Sequence, residues 1–308
     1  MNVSIVLPIL NEIESLPILI DEIKDNLEIV NDWEIIFVDD GSTDGSTDYL
    51  VELCSNNSNF KLIQFHRNYG KSAALSEGFK VASGQYVITM DADLQDDPAE
   101  IKNLIDKLED GWDLVSGWKK NRLDPLNKRI PSKLFNFVTR LFTGVKIHDF
   151  NCGLKGYKKA VIKSIEIYGG RHRYIPALAG QKKFKVTEIV VNHRSRKFGK
   201  TKYGSSRLFH GFFDLITILF LNRFTQQPLH LFGSFGIGFF IFGIAMECLV
   251  LYYKYYLFEP FSKHMALLTF GVMLIVIGIQ FFSIGLLGEL MARSNQGNED
   301  RIKYFYNN

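Results

Sequence analysis

Two long apolar stretches near the carboxyl end, Leu229 to Tyr253 and Met265 to Leu287, restrict this chain more than any other feature. At about 1.5 Å per residue, each can cross a hydrocarbon core of about 30 Å as a helix. A pair of buried helices in a soluble domain is the competing reading, but near-continuous apolar runs of this length are rare there. The stretches therefore read as a transmembrane hairpin. Tyr252, Tyr253, Tyr255 and Tyr256 crowd the end of the first, as an aromatic belt would. Glu247 lies inside that run and reads as sitting near the interface; pairing within a homo-oligomer through the spans is the alternative.

Up to about Asn222, charged and apolar residues alternate at short range, which is the texture of a soluble domain. The formal net charge of the 308 residues, +3, is too small to point to nucleic acid. Cys54, Cys152 and Cys248 are far apart and lack metal-type spacing, so they read as plain thiols in a reducing compartment. The apolar run Val3 to Leu10 is short, is broken by Pro8 and runs into Asn11 and Glu12, so it reads as a first strand rather than a signal peptide. The soluble domain is expected on the cytosolic side of a cytoplasmic membrane.

Within that domain, candidate strands Val3 to Leu7, Glu34 to Val38, Lys61 to Phe65, Tyr86 to Met90 and Asp113 to Ser116 alternate with helical segments near Ile13 to Val30, Thr47 to Cys54, Ser72 to Ala82 and Ala99 to Leu108. Such alternation predicts an α/β domain with a mainly parallel, doubly wound sheet. Ligands then sit beyond the carboxyl ends of the strands. Those ends carry Pro8 to Glu12, Asp39-Asp40-Gly41-Ser42 and Asp91-Ala92-Asp93-Leu94-Gln95, so acidic groups gather at one edge.

Asp91, Asp93 and Gln95 are the sharpest signal. Two carboxylates and an amide oxygen after one strand form an all-oxygen site suited to Mg²⁺ or Mn²⁺, which can neutralise a diphosphate leaving group. Capping of the following helix by Asp39, Ser42 or Asp44 is a competing use of the other acidic cluster.

The basic region Lys119 to Lys133, with Pro125 and Pro131, reads as a mobile loop leading into a helix from Pro131 to Phe142. On that helix Leu134, Phe135, Phe137, Val138, Leu141 and Phe142 share one face opposite Lys133, Asn136 and Arg140, which reads as a helix lying in a headgroup boundary, with a core-packing helix as the alternative. Leu208 to Phe224 is similar and leads into the first span. The domain limits expected are 1–204 for the soluble domain, 205–228 for an interfacial helix, 229–290 for the hairpin and 291–308 for a cytosolic tail.

Several ordered motifs together carry a family resemblance: Val3-Ser4-Ile5-Val6-Leu7-Pro8 with Asn11-Glu12, Val38-Asp39-Asp40-Gly41-Ser42, His66-Arg67-Asn68-Tyr69-Gly70-Lys71, and Met90-Asp91-Ala92-Asp93-Leu94-Gln95. They continue through Asp149-Phe150-Asn151-Cys152-Gly153-Leu154-Lys155, His193-Arg194-Ser195-Arg196 and Gly199-Lys200-Thr201-Lys202-Tyr203-Gly204. The chain resembles the family-2 glycosyltransferases, and within them the polyprenyl-phosphate branch that includes dolichol-phosphate mannose synthases and bactoprenol glucosyl transferases. The resemblance implies a glycosyltransferase A-type (Rossmann-like) domain that transfers a sugar from a nucleotide-sugar to polyprenyl phosphate with inversion. Glucose from UDP-glucose is the expected sugar, with GDP-mannose the alternative. A processive polysaccharide synthase is disfavoured, since Trp33, Trp112 and Trp118 form no Gln-x-x-Arg-Trp motif and the spans are too few. The rival from another class is a non-catalytic nucleotide-binding scaffold.

Carried over residue by residue, the resemblance implies that Pro8, Leu10, Glu12, Asp39, Asp40, Lys71, Asp91, Arg196 and Lys202 bind the donor, and that Asp91, Asp93 and Gln95 hold the metal. Asp149 and Asp91 are the residues expected at the reacting centre, Asp149 as base or as a positioning group. Arg129, Ser132 and Arg194 are expected at the acceptor phosphate; a cationic surface attracted to anionic headgroups is the competing reading of the basic set Lys128, Arg129, Arg194, Arg196 and Lys202. The chain departs from mannose synthases at Lys155, where Arg is frequent.

Overall fold

The computed structural model describes residues 2–27, 30, 32–120, 126–195 and 228–295. The chain divides into two compact units, Met1–Ile216 and Thr217–Asn308. The first is an α/β domain around a seven-stranded sheet in the order β3-β2-β1-β4-β6-β5-β7. Its strands are β1 (Asn2–Ile9), β2 (Asp32–Asp39), β3 (Phe60–Gln64), β4 (Tyr86–Thr89), β5 (Leu114–Trp118), β6 (Lys155–Lys158) and β7 (Val186–Val190). All pairings are parallel except the two made by β6, with β4 and with β5.

Parallel strands covered on both faces read as continuous apolar runs, and β1 and β2 do. Successive side chains point to opposite faces, so Ile5, Leu7, Ile35 and Phe37 enter one core while Val6, Ile36 and Val38 enter the other. Helix α1 (Leu16–Leu27) covers the first core with Leu16, Leu19, Ile20, Ile23 and Leu27, the three-and-four spacing of one helical face. Helix α4 (Glu100–Glu109) adds Ile101, Leu104, Ile105 and Leu108 to the same side. The second core lies under Ala74, Leu75 and Phe79 of α3 (Lys71–Val81), with α6 (Lys159–Ser164) and α7 (Ile175–Gln181) beside it. Helix α2 (Ser46–Ser55) contributes Leu50 to the first core.

Helix α5 spans Leu126–Thr143, so it begins before Pro131 rather than at it, and the expected basic loop is helical from Leu126 onward. Proline did not mark the start because the preceding residues supply more than one turn of helix. The expected apolar face is also divided. Phe135 packs on Tyr174 with ring centroids 5.3 Å apart, and Asn136 and Thr139 are buried. Phe137, Leu141 and Phe142 remain 55%, 67% and 60% exposed. The expected helix at 205–228 lies outside the described residues.

In the second unit, two helices span Pro228–Tyr255 and Met265–Asn295. Both are long and apolar enough to cross a membrane, and only 17% and 22% of their most apolar windows are buried. A core helix of a soluble protein would be mostly covered. The pair packs backbone to backbone: a Cβ on Gly236 would fall 2.7 Å from the carbonyl of Gly278, and one on Gly278 would fall 2.7 Å from the carbonyl of Gly236. Small residues permit such an approach in an apolar medium. At the connecting turn Tyr253 stacks on His264 at 4.3 Å, and Glu259 accepts from Lys263 at 2.5 Å and pairs with His264.

At the amino-terminal edge of the first sheet, Glu34 accepts from Ser4 at 2.5 Å, from the backbone and hydroxyl of Ser83 at 2.7 and 2.8 Å, and pairs with Lys61 at 2.5 Å. Burial raises its pKa, but these partners outweigh burial and hold the carboxyl down at about 2. A depressed carboxylate pKa adds stability that is present above the unfolded value and lost as pH falls toward the folded one. The apparent melting temperature should therefore drop as pH falls from about 4.5 toward about 2. Glu34→Ala should lower stability at neutral pH by about 2 kcal/mol and flatten that acid limb, read by thermal unfolding of the full chain in detergent.

Candidate active site

The sheet parts where the acidic residues collect. β1 pairs with β4 only from Val3 to Val6, while its pairing with β2 continues to Ile9 and Asp39. The carbonyl of Val6 still accepts from Met90 at 3.4 Å, so Pro8, two residues on, has its nitrogen on the same side as the departed β4. A proline is tolerated in this interior strand because no neighbour there needs its missing N–H. The strand order reverses between β1 and β4, which is where doubly wound sheets open a ligand crevice. Asp39 and Asp40 end one wall and Asp91 to Asp97 end the other.

The first wall is knitted by side-chain bonds to backbone. Asn11, with φ 52°, donates its N–H to Ser42 Oγ at 2.9 Å and accepts from Thr43 at 2.7 Å. Glu12 donates its N–H to Ser46 Oγ at 3.1 Å, and Asp44 accepts from Ile13 at 3.1 Å and from Ser46 Oγ at 2.6 Å. Asp39 accepts from the Ser42 N–H at 2.9 Å and from Thr47. Asp44 also accepts the Ser46 N–H at 3.0 Å at the start of α2, whereas Asp39 braces the loop before that helix and bonds none of its N–H groups. Asp40, expected at the base or ribose, is buried and accepts the N–H groups of Tyr69 at 2.6 Å and Gly70 at 2.9 Å. Burial raises its pKa, the two N–H groups lower it, and neighbouring Asp39 raises it. Asp40 therefore fixes the start of α3, whose first residue is Lys71.

Lys71 reaches across the crevice and pairs with Asp91. Burial opposes the Asp91 charge, yet Lys71, with Lys119 and Lys155 further off, holds the carboxyl down at about 2. Gly153 presses on the same carboxylate: a Cβ there would fall 2.5 Å from Asp91 Oδ2. In the following turn Leu94 is buried at φ 60°, a strained state for a bulky residue and one that collects at functional sites. Asp93 supports it by accepting the Gln95 N–H at 3.2 Å.

Behind this turn, Asp96 accepts the Asp91 N–H at 3.2 Å and pairs with Lys119 at 2.7 Å, its side chain fully enclosed. Burial works against the Lys119 charge, but Asp96, then Cys152 and Asp91, hold its pKa above the ordinary lysine range. Arg194 donates its N–H to the Gln95 carbonyl at 3.0 Å, and its guanidinium bridges Glu22 at 2.5 Å and Asp97 at 2.8 Å. The expectation that Arg194 meets the acceptor phosphate thus finds two carboxylates already neutralising it; in this structure it ties the turn to α1.

Asp149 is buried, with Cys152 and Lys155 in reach of its charge, accepting the Asn151 N–H at 3.0 Å while its carbonyl accepts from Ser116 at 3.1 Å. Lys155, 3% exposed, donates to the Cys152 carbonyl, and burial lowers its ammonium pKa. The electrostatic field of Asp91 and Asp149 reaches it. Glu12 is half-buried, with Ser15 Oγ donating to its carboxylate at 3.2 Å. Ser132 lies on α5. The side chain of Arg129, and all of Arg196 and Lys202, lie outside the described residues.

Four groups at the crevice escaped the sequence reading as site residues: Asp96, Lys119, Lys155 and His172. Lys119 directly follows β5 and Lys155 opens β6, a strand that no local pattern announced. His172 comes from a single turn of 3-10 helix, Arg171–Tyr174.

Residues 4–166 match the sequence profile of glycosyl transferase family 2. The chain belongs to that family. Dodecaprenyl-phosphate galacturonate synthase of Rhizobium johnstonii is 36% identical over 304 residues, covering 96% of this chain and 88% of the relative. Undecaprenyl-phosphate 4-deoxy-4-formamido-L-arabinose transferase of Salmonella typhimurium is 36% identical over 306 residues, covering 99% and 92%. Among solved structures, glucosyl-3-phosphoglycerate synthase of Mycobacterium tuberculosis with phosphoglyceric acid superposes with a TM-score of 0.56 at 20% identity, over 72% of this chain and 79% of that one. The same enzyme with Mn²⁺, UDP and glucosyl-3-phosphoglycerate gives 0.55 at 19%, over 72% and 79%. The fold is thus the glycosyltransferase A-type expected, and the protein is a glycosyltransferase.

For this glycosyltransferase, Gly153→Ala should displace the Asp91 carboxylate. Overpacking at such a contact costs about 1–3 kcal/mol in stability, and sugar transfer should fall by about tenfold or more. Thermal unfolding beside a transfer assay checks both; parent-level transfer would show that Asp91 needs no such support.

Proposed function

We propose that this glycosyltransferase moves a sugar from a nucleotide-sugar to the phosphate of a polyprenyl phosphate at the cytosolic face of the inner membrane. The observation that carries the reading is the crevice: a parted sheet edge with Asp91 and Asp93 on one wall and Lys71 reaching across, in a chain that also holds two helices able to span a bilayer. The relatives named for dodecaprenyl-phosphate and undecaprenyl-phosphate sugars support the acceptor class.

Among the described residues no three His, Cys, Asp or Glu side chains form a self-sufficient metal cage. That suits a hard divalent ion carried in with a diphosphate, since Mg²⁺ typically takes one or two carboxylates and completes its shell from phosphates and water. Asp91, Asp93 and Gln95 would hold it, and a bound Mg²⁺ or Mn²⁺ would neutralise the leaving diphosphate. The remaining work falls to the chain. Lys71, with Lys119 and Lys155 behind it, keeps the acidic wall ionised and draws anionic oxygens into the crevice. A phosphate monoester is already ionised near neutral pH, so Asp149 has no proton to remove and acts by orienting the acceptor. Attack in line with the departing diphosphate inverts the anomeric carbon.

Arg129 and Ser132 on α5 are assigned to the acceptor phosphate; the same helix carries the exposed Phe137, Leu141 and Phe142 that would meet the bilayer. Arg196 and Lys202 are assigned to the donor. UDP-glucose is the donor to test first and GDP-mannose the second; the two relatives named for galacturonate and 4-deoxy-4-formamido-L-arabinose place uronic and amino-pentose donors in the same trial.

Asp93→Ala should reduce transfer by about a hundredfold or more, because it removes an oxygen ligand, and should lower the melting temperature by only a few degrees, since it gives up one bond to the Gln95 N–H. Chelator should match it, and full transfer in excess chelator would contradict the metal assignment. For topology, a cysteine introduced by Ser262→Cys in the connector should be labelled from the outer face of sealed cells; labelling from the cytosol alone would overturn the hairpin orientation.

A further inference from the structure

The Ser72–His172 pair lies outside every motif named above. Ser72 is 2% exposed and stands in the first turn of α3, directly after Lys71. Its Oγ accepts the backbone N–H of His172 at 3.1 Å and lies 2.9 Å from His172 Nδ1. A buried hydroxyl must place its single proton, and among the described residues Nδ1 is the acceptor within reach. Nδ1 is therefore an acceptor, and a neutral ring carries its own proton on Nε2. The ring is neutral: burial first, then Lys71, Arg173 and Lys155, hold its pKa well below the usual histidine value, against the pull of Asp91.

Besides the adjacent Arg173, the charges His172 feels are thus Lys71, Lys155 and Asp91, the groups of the crevice. Its Nε2–H has no hydrogen-bond acceptor among the described residues, and the residue keeps partial exposure. Three cations already surround this spot, so a phosphate gains little from an added neutral donor. A sugar hydroxyl is the group that an uncharged N–H in a charged crevice discriminates, since a site built to bond a hydroxyl strongly disfavours an analogue lacking it.

We infer that His172, locked by Ser72 with its proton on Nε2, binds a hydroxyl of the sugar being transferred. The inference rests on the transferase reading and adds to it the group that recognises the donor's sugar rather than its nucleotide. Ser72 is a positioning residue in this scheme: it touches no substrate and sets which nitrogen donates.

Two amide substitutions separate binding from mere anchoring, because each mimics one ring nitrogen. His172→Asn places an amide oxygen where Nδ1 was, so the bond from Ser72 survives while the Nε2 donor is lost. His172→Gln places an amide N–H near the Nε2 position and gives up the bond to Ser72. The full-length protein in detergent is assayed with polyprenyl phosphate and UDP-glucose, GDP-mannose or UDP-galacturonate, whichever supports transfer, and its own nucleoside diphosphate is used as competitive inhibitor.

The expected result is that His172→Asn loses about tenfold or more in kcat/KM, His172→Gln stays within about threefold of the parent, and the inhibition constant of the nucleoside diphosphate is unchanged in both. A reversed order, with Asn active and Gln inactive, would make His172 an anchor for its segment and overturn the inference. So would equal activity in all three proteins, or a parallel loss of nucleoside diphosphate binding, which would move His172 to the diphosphate. Absence of transfer by the parent from every donor would instead defeat the transferase reading, and this inference with it.

Discussion

Everything in the catalytic unit turns on one electrostatic constraint: a parted parallel sheet delivers several carboxylates to one edge, and like charges gathered there repel unless cations stand among them. The Lys71–Asp91 pair answers that constraint at the front of the crevice, and the enclosed Lys119–Asp96 pair answers it behind. Each lysine also ties together segments far apart in the chain. Lys71 is delivered by α3, whose start is held by Asp40 from the opposite wall; Lys119 is delivered by the end of β5. The same ion pairs that make the fold tolerable thus set the charge of the crevice.

This arrangement explains which parts of the protein could be read from residues alone. Strands β1 to β5 and helices α1 to α4 matched their expected positions within a few residues, because βαβ units encode themselves locally: a run such as Val3 to Leu7 is apolar on both faces, and α1 repeats its leucines and isoleucines at helical spacing. Asp39, Asp40, Asp91 and Asp93 were visible for the same reason, standing at strand ends. β6 was not visible. Its four residues, Lys-Gly-Tyr-Lys, show no strand alternation, and only antiparallel pairing between β4 and β5 makes them a strand. Lys155 was consequently seen as a departure from a motif but not as a buried neighbour of Asp91.

The polar side of α5 was misread for a related reason. Asn136 looked like part of a solvent face, yet it is buried and its amide oxygen accepts the Phe150 N–H at 3.4 Å, one residue from Asp149. Helical periodicity reports which residues share a face; it does not report which face the tertiary structure covers. Arg194 shows the same limit: its motif suggested a ligand, and only the packing of α1 revealed Glu22 as its partner.

The central claim is chemical and is most directly tested by the product. Purified full-length protein incubated with polyprenyl phosphate, Mg²⁺ or Mn²⁺ and each nucleotide-sugar in turn should yield a lipid whose mass equals polyprenyl phosphate plus one glycosyl unit, with the sugar on the phosphate oxygen and its anomeric configuration opposite to that in the donor. A free sugar with unchanged lipid, or a polymer of repeating sugars, would contradict the account.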